Sequence, residues 1–213
     1  MAYTGDTTPD TRELPGLVIT KLSVGPMDNN AYLLRCPSTG EQLLIDAAND
    51  ADRLLALVGD GGLTTVVTTH RHADHWQGLE DVVDATNAGS VAHTADAPEI
   101  PVVTRTVTDG DTIEVGDASL EVIHIVGHTP GSIALLYRDP DGHPHLWTGD
   151  SLFPGGVGNT QGDAERFTSL INDVEHKLFD RLPDDTWFYP GHGKDSTLGA
   201  ERPSLLEWRA RGW

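Results

Sequence analysis

The sequence predicts an α/β (α+β) protein, one domain of stacked sheets covered by helices. Three observations carry this. The 213 residues, 38% of them hydrophobic, supply one sizeable core and not two full-sized domains. Short runs rich in Val, Ile, Leu and Thr are interspersed with stretches of helical apolar spacing. Strand-like runs also follow one another directly in both halves, which a simple alternating parallel sheet does not produce.

Residues 1–16, polar and rich in Thr, Asp and Pro, read as a flexible N-terminal extension, so the folded domain is expected over 17–213. The strand-like runs are LVITKLSV (17–24), AYLLRC (31–36), EQLLID (41–46), LTTVVTT (63–69), EVIHIV (121–126), IALLYR (133–138) and HLWTGD (145–150). Helical spacing marks Ala51 to Val58, Asp74 to Val83 and Ala164 to Leu182. Pro203 opens a last short helix, since the first turn does not use the N–H that proline lacks.

Charge and composition exclude several classes. With 33 acidic against 14 basic residues the net charge is -19, a field that repels nucleic acid and anionic membrane surfaces, so neither is an expected partner. No run approaches the length of a membrane span, and the N-terminus lacks the basic start and apolar stretch of a signal peptide. The single cysteine, Cys36, ends an apolar run and reads as packing; with no internal disulfide to form, a reduced, cytoplasmic setting is expected. Nothing in the composition specifies an oligomer.

Ten histidines are present, and their placement matters more than their number. VVTTHRHADH puts His70, His72, Asp74 and His75 into the pattern H-x-H-x-D-H directly after a strand-like run. Imidazoles at i and i+2 can converge on one ion while Asp74 and His75 point elsewhere, which favours two neighbouring metal positions. Three further segments put a potential ligand at a strand end or beside glycine, where the backbone turns sharply: IVGHTPGS with His128, LWTGDSLF with Asp150 and FYPGHG with His192. Five imidazoles and two carboxylates suit two zinc-like ions with room for water. His93, His124, His143, His145 and His176 lack such contexts and read as structural or solvated.

On these motifs the chain resembles the metallo-β-lactamase superfamily, and within it the glyoxalase II-like hydrolases. LLIDAA, THRHADH, GHTPGS, TGDSLF and PGHG occur in the family's order between about Leu17 and His192. The resemblance implies a four-layer αβ/βα sandwich, two mixed sheets flanked by helices, with metals at one edge. It implies one ion on His70, His72 and His128, a second on Asp74, His75 and His192, and Asp150 bridging. Zn2+, two per chain, is the expected cofactor, with Fe or Mn as alternatives. Asp46 supports the ligands in such proteins; from its place at a strand end it reads equally as a turn residue.

The implied activity is hydrolysis of a small ester, thioester or lactone by a metal-bridging hydroxide, since metal binding brings the pKa of water down to about 7. Asp74 is the candidate to orient that water or take its proton. The other reading is a mononuclear non-haem iron dioxygenase acting on persulfides, using two histidines and one carboxylate. Two departures bear on the substrate, which is expected to be a small molecule. Only 21 residues follow His192, without the helical domain that glyoxalase II places there, and Asn159 stands where a basic residue is usual. Both point away from glutathione thioesters. The glycine-rich loop from Pro154 to Gly162 is a candidate cleft wall, whereas Trp76 reads as core and Arg71 as solvated.

Overall fold

The computed structural model describes residues 8–212. Seven strands make the first sheet in chain order: β1 (Asp10–Glu13), β2 (Val18–Val24), β3 (Asn29–Arg35), β4 (Gln42–Ile45), β5 (Thr65–Val67), β6 (Gly89–His93) and β7 (Arg105–Val107). Pairing is antiparallel up to β4 and parallel from β4 to β7, so the sheet is mixed. The second sheet contains β8 (Thr112–Val115), β9 (Ala118–His124), β10 (Ile133–Arg138) and β11 (Pro144–Gly149), then β14 (Trp187–Pro190) and β15 (Ser196–Thr197). It is mixed too, because β11 pairs with β14 in parallel. A hairpin of β12 (Leu152–Phe153) and β13 (Gly156–Val157) stands apart.

Alternation along the strands sets the layers. In β3, Tyr32 and Leu34 face the second sheet, where Leu120, Val122, Leu135 and Trp147 complete the central core. Ala31 and Leu33 face outward and are covered by α1 (Ala51–Val58) and α2 (Leu79–Thr86) through Leu54, Val58, Leu79 and Val82. On the other outer face, Phe167, Leu170 and Ile171 of α3 (Ala164–Asp173) and Trp208 of α5 (Leu205–Arg211) cover Ile123, Leu136 and Phe188. A short α4 (Leu198–Glu201) precedes α5. The result is the four-layer αβ/βα sandwich.

The structure moves three of the expected boundaries. Part of the expected flexible extension is sheet: Asp10–Glu13 pair with Val18–Lys21 as an edge strand, the chain turning at Pro15-Gly16 with Leu14 N–H on Leu17 O. Its polar side chains suit a strand exposed along most of its length, which is why composition read it as tail. Residues 1–7 of that expectation lie outside the described residues. The helix expected over Asp74 to Val83 divides into a 3-10 turn, Ala73–His75, and α2, because Gln77 and Gly78 donate to Ala48 O and Ala47 O and draw the backbone against the loop after β4. The helix expected over Ala164 to Leu182 is α3, capped by Asp163, which accepts from Glu165 N and Arg166 N, followed by a π-helical segment, Val174–Phe179.

Candidate metal centre

Both sheets deliver their strand ends to one edge of the sandwich. Asn30 N–H donates to Gly191 O (2.7 Å) and Ile133 N–H to Thr69 O (2.9 Å), tying the sheets together where the histidine segments emerge. His70 and His72 follow β5, Asp74 and His75 occupy the 3-10 turn, His128 lies between β9 and β10, Asp150 follows β11 and His192 follows β14. The structure brings all seven side chains together in three overlapping groups capable of holding an ion: His70, His72 and His128; Asp74, His75 and His192; and His70, His75 and Asp150.

The ring nitrogens explain why an ion fits. His70 Nδ1 is 3.1 Å from the Thr69 hydroxyl oxygen, and that hydroxyl donates to Asp46 Oδ2, so the oxygen accepts the His70 Nδ1–H. His75 Nδ1–H donates to Asp46 Oδ2 (2.8 Å), His128 Nδ1–H to Asn159 O (2.9 Å) and His192 Nδ1–H to Met27 O (3.0 Å). In its neutral form each of these four rings therefore presents a lone pair at Nε2. His70 Nε2 lies 3.1 Å from His72 Nδ1 and 3.3 Å from His128 Nε2, three ring nitrogens crowded together. His75 Nε2 is buried and has no hydrogen-bond partner among the described residues. A divalent cation satisfies both features, and a water molecule cannot donate to so many acceptors at once.

Asp150 stands between the groups. Its Oδ1 is 3.4 Å from His75 Nε2, and its Oδ2 is 3.7 Å from His128 Nε2 and 3.5 Å from His192 Nε2. Asp74 Oδ2 is 3.3 Å from His192 Nε2 and accepts from Asn29 Nδ2 at 2.9 Å.

Electrostatics separate the two sides. Burial pushes His70 well below the ordinary imidazole value, with His75 adding to the effect, and burial brings His128 down to about 4. Those rings stay neutral, as ligands must. On the other side burial opposes the charge, but hydrogen bonds to Asp150 and Asp74 outweigh it and raise His192 to about 10. Burial is likewise outweighed at His75, by Asp150 and then Asp46. His192 holds Asp74 well below the usual carboxylate range; for Asp150, burial works the other way and His75 and His192 overcome it. Carboxylates that attract a proton here attract a metal cation equally.

A cleft of about 770 Å³ opens beside the ligands, lined by Met27, Phe153, Pro154, Val157, Asn159 and Lys194 together with His128, Asp150 and His192. The Pro154 to Gly162 loop is thus part of its wall. Asn159 contributes its backbone carbonyl to His128, and its side-chain oxygen accepts from Gln161 N–H. Trp76 packs against the outer core and donates from Nε1 to Arg71 O, away from the cleft, and the Arg71 side chain pairs with Glu99.

Sequence reasoning missed Asn29, Met27 and the backbone role of Asn159, because two act through backbone carbonyls and Asn29 by proximity that only the fold creates. Asp46 resolves as a supporting residue: its oxygens accept from Thr69 N–H, Thr69 O–H and His75 N–H. The remaining histidines stay outside the groups; His93 stacks on His124 at 3.8 Å, and His145 contacts the Tyr189 hydroxyl. Cys36 is buried and contacts the Ser38 hydroxyl.

The metallo-beta-lactamase superfamily model matches residues 24–192, and the chain belongs to that superfamily. It is 40% identical over 167 residues to a hydroxyacylglutathione hydrolase of a Polaromonas strain, covering 77% of this chain and 62% of the relative. It therefore spans less than two thirds of that relative's length. Among solved structures it is similar to ETHE1 from Myxococcus xanthus (28% identity, TM-score 0.76, 90% of this chain and 84% of that one). It is also similar to TTHA1623 in a di-iron-bound form (27% identity, TM-score 0.70, 85% and 96%). Among the described residues no helix is long and apolar enough to cross a membrane.

Proposed function

We propose that the chain is a metal-dependent hydrolase of a small ester, thioester or lactone. In this reading one divalent ion sits on His70, His72 and His128 and a second on Asp74, His75 and His192, with Asp150 shared. The observation that carries it is the set of four imidazoles whose Nδ1–H is held by an acceptor of the protein, leaving Nε2 turned toward a common carboxylate. Two zinc ions are the favoured occupants; the di-iron form of TTHA1623 keeps iron as an alternative, alongside manganese.

Bound there, the ions supply an ionised water near neutral pH and a Lewis acid for the carbonyl oxygen. The chain's own residues do the rest. Asp74, fixed by Asn29 and kept ionised by His192, would orient that water toward the carbonyl carbon. Asp46 keeps His75 in one tautomer, and Met27, Phe153 and Val157 present an apolar wall to the acyl group. No serine or cysteine nucleophile is needed, and Cys36 is buried.

The name of the Polaromonas relative supports a thioester, while Asn159 in place of a basic residue supports a thiol other than glutathione. The single, unpaired Cys36 supports a reducing, cytoplasmic setting. Two complete ligand groups favour hydrolysis over a mononuclear iron dioxygenase, which needs only one. The test is elemental analysis of protein purified without added metal, then hydrolysis assays over thioesters and lactones and an oxygen electrode with persulfides. Two zinc ions and thioester or lactone turnover are expected; one iron with oxygen uptake would overturn the reading.

A further inference from the structure

Asp96, in the turn after β6, is fully buried, yet it takes part in no ion pair among the described residues. Its carboxylate lies where the two loops of the three-histidine group meet. Oδ2 accepts from Arg71 N–H (2.9 Å), the peptide between His70 and His72, and from the Thr129 hydroxyl (2.5 Å), the residue after His128. Oδ1 accepts from Gly131 N–H (2.8 Å) in the same His128 loop. The approach is close enough to exclude a side chain at residue 131, where a Cβ would lie 2.6 Å from Asp96 N. Thr129 and Ser132 hydroxyls meet at 2.6 Å and extend the network.

A carboxyl group placed this deep needs a compensating role, because desolvation is costly and its acceptors are satisfied by only three donors. Each donor belongs to a segment carrying a histidine, and those segments come from different sheets. The other group has separate supports: Asp46 for His75, Asn29 for Asp74 and Met27 O for His192.

We propose that Asp96 is a positioning residue for the three-histidine metal site, clamping the His70–His72 loop to the His128 loop so that their ring nitrogens converge. The inference rests on the two-ion reading for the identity of what the rings hold, and its test separates the two. In Asp96→Asn the amide must turn its NH2 toward either Gly131 N–H or Arg71 N–H, so a donor faces a donor in both orientations. Outer supports of metal ligands change affinity by about 10–100-fold, and a loss in that range is expected at one site only.

The experiment titrates the metal-free full chain with Zn2+ against a chromophoric chelator and with Co2+ by visible spectroscopy. Wild type, Asp96→Asn, Thr129→Val and Thr129→Ser are compared, with melting of the metal-free forms alongside. Asp96→Asn is expected to weaken one ion and spare the other, Thr129→Val to do so less, and Thr129→Ser to retain wild-type affinity. Equal weakening of both ions, or none, overturns the proposal, as does a fall in metal-free melting temperature with unchanged affinities. Should Asp96→Asn not fold, the threonine pair decides by the same criteria. A wild type that binds a single ion contradicts the two-ion reading alone; weakening of that ion by Asp96→Asn still supports the clamp, and no weakening overturns it.

Discussion

Asp46 Oδ2 lies 2.8 Å from His75 Nδ1, both side chains fully buried, and this pair decides which nitrogen of the ring faces the metal centre. The same carboxylate accepts both the N–H and the O–H of Thr69, whose oxygen in turn fixes His70. One residue thus sets a tautomer on each side of the centre.

Asp46→Asn is expected to lower metal affinity by about 10–100-fold, since an amide cannot accept all three donors. Asparagine tolerates the positive φ of 57° at this position, so the backbone is preserved and the loss reports on the side chain. Calorimetric metal titration checks it, and unchanged affinity would count against Asp46 as a support.

Gly191 packs so closely that a Cβ there would lie 2.6 Å from His75 Cε1 and strike Asp150 Oδ1. Gly191→Ala is therefore expected to leave the far-ultraviolet circular dichroism intact while abolishing hydrolysis and at least one bound ion. Retention of both ions would show that the packing at this point has slack.

Removing metal should also cost stability. One site occupied at a hundredfold excess over its Kd contributes about 2.7 kcal/mol, and about 2–4 °C of Tm goes with each kcal/mol at this chain length. Chelation is expected to lower Tm by at least about 5 °C, read by differential scanning calorimetry with and without chelator. An unchanged Tm would argue against metal binding to the native fold.

His145 offers a pH dependence outside the centre. Burial, aided by the His143 and Arg12 charges, brings its pKa to about 4. The unfolded chain, with an ordinary value of about 6.5, binds the proton more readily between these limits. The stability from keeping this ring neutral is therefore present above about pH 6.5 and lost as pH falls toward about 4. In the metal-free protein His145→Asn should make the urea midpoint fall less steeply over that window, by at most about one proton's worth. An identical slope in both proteins would contradict it.

Much of this was legible in the sequence because the ligands sit in short, punctuated motifs. H-x-H-x-D-H after β5 and the glycine-flanked His128, Asp150 and His192 each advertise a chain reversal at a strand end. Interior strands such as β3, β4 and β10 were legible because they are buried on both faces and rich in branched residues, as in β10, where five consecutive positions are buried. The edge strands β1, β7 and β8 escaped because they are partly exposed and polar, β14 because it is only four residues of aromatics and proline, and the buried interior strand β6 because its run GSVAH holds a single branched apolar residue. Asp96 was invisible for a different reason. Its partners, Arg71, Thr129 and Gly131, are 25 to 35 residues away, and two of the three bonds are to backbone N–H groups that carry no sequence signature.

Metal stoichiometry of the purified chain beside its Asp150→Ala variant bears most directly on the shared two-ion centre. Two divalent ions per wild-type chain and a loss of at least one in the variant, together with loss of hydrolysis, are expected. Equal metal content in the two proteins, or none in either after incubation with zinc, would contradict it.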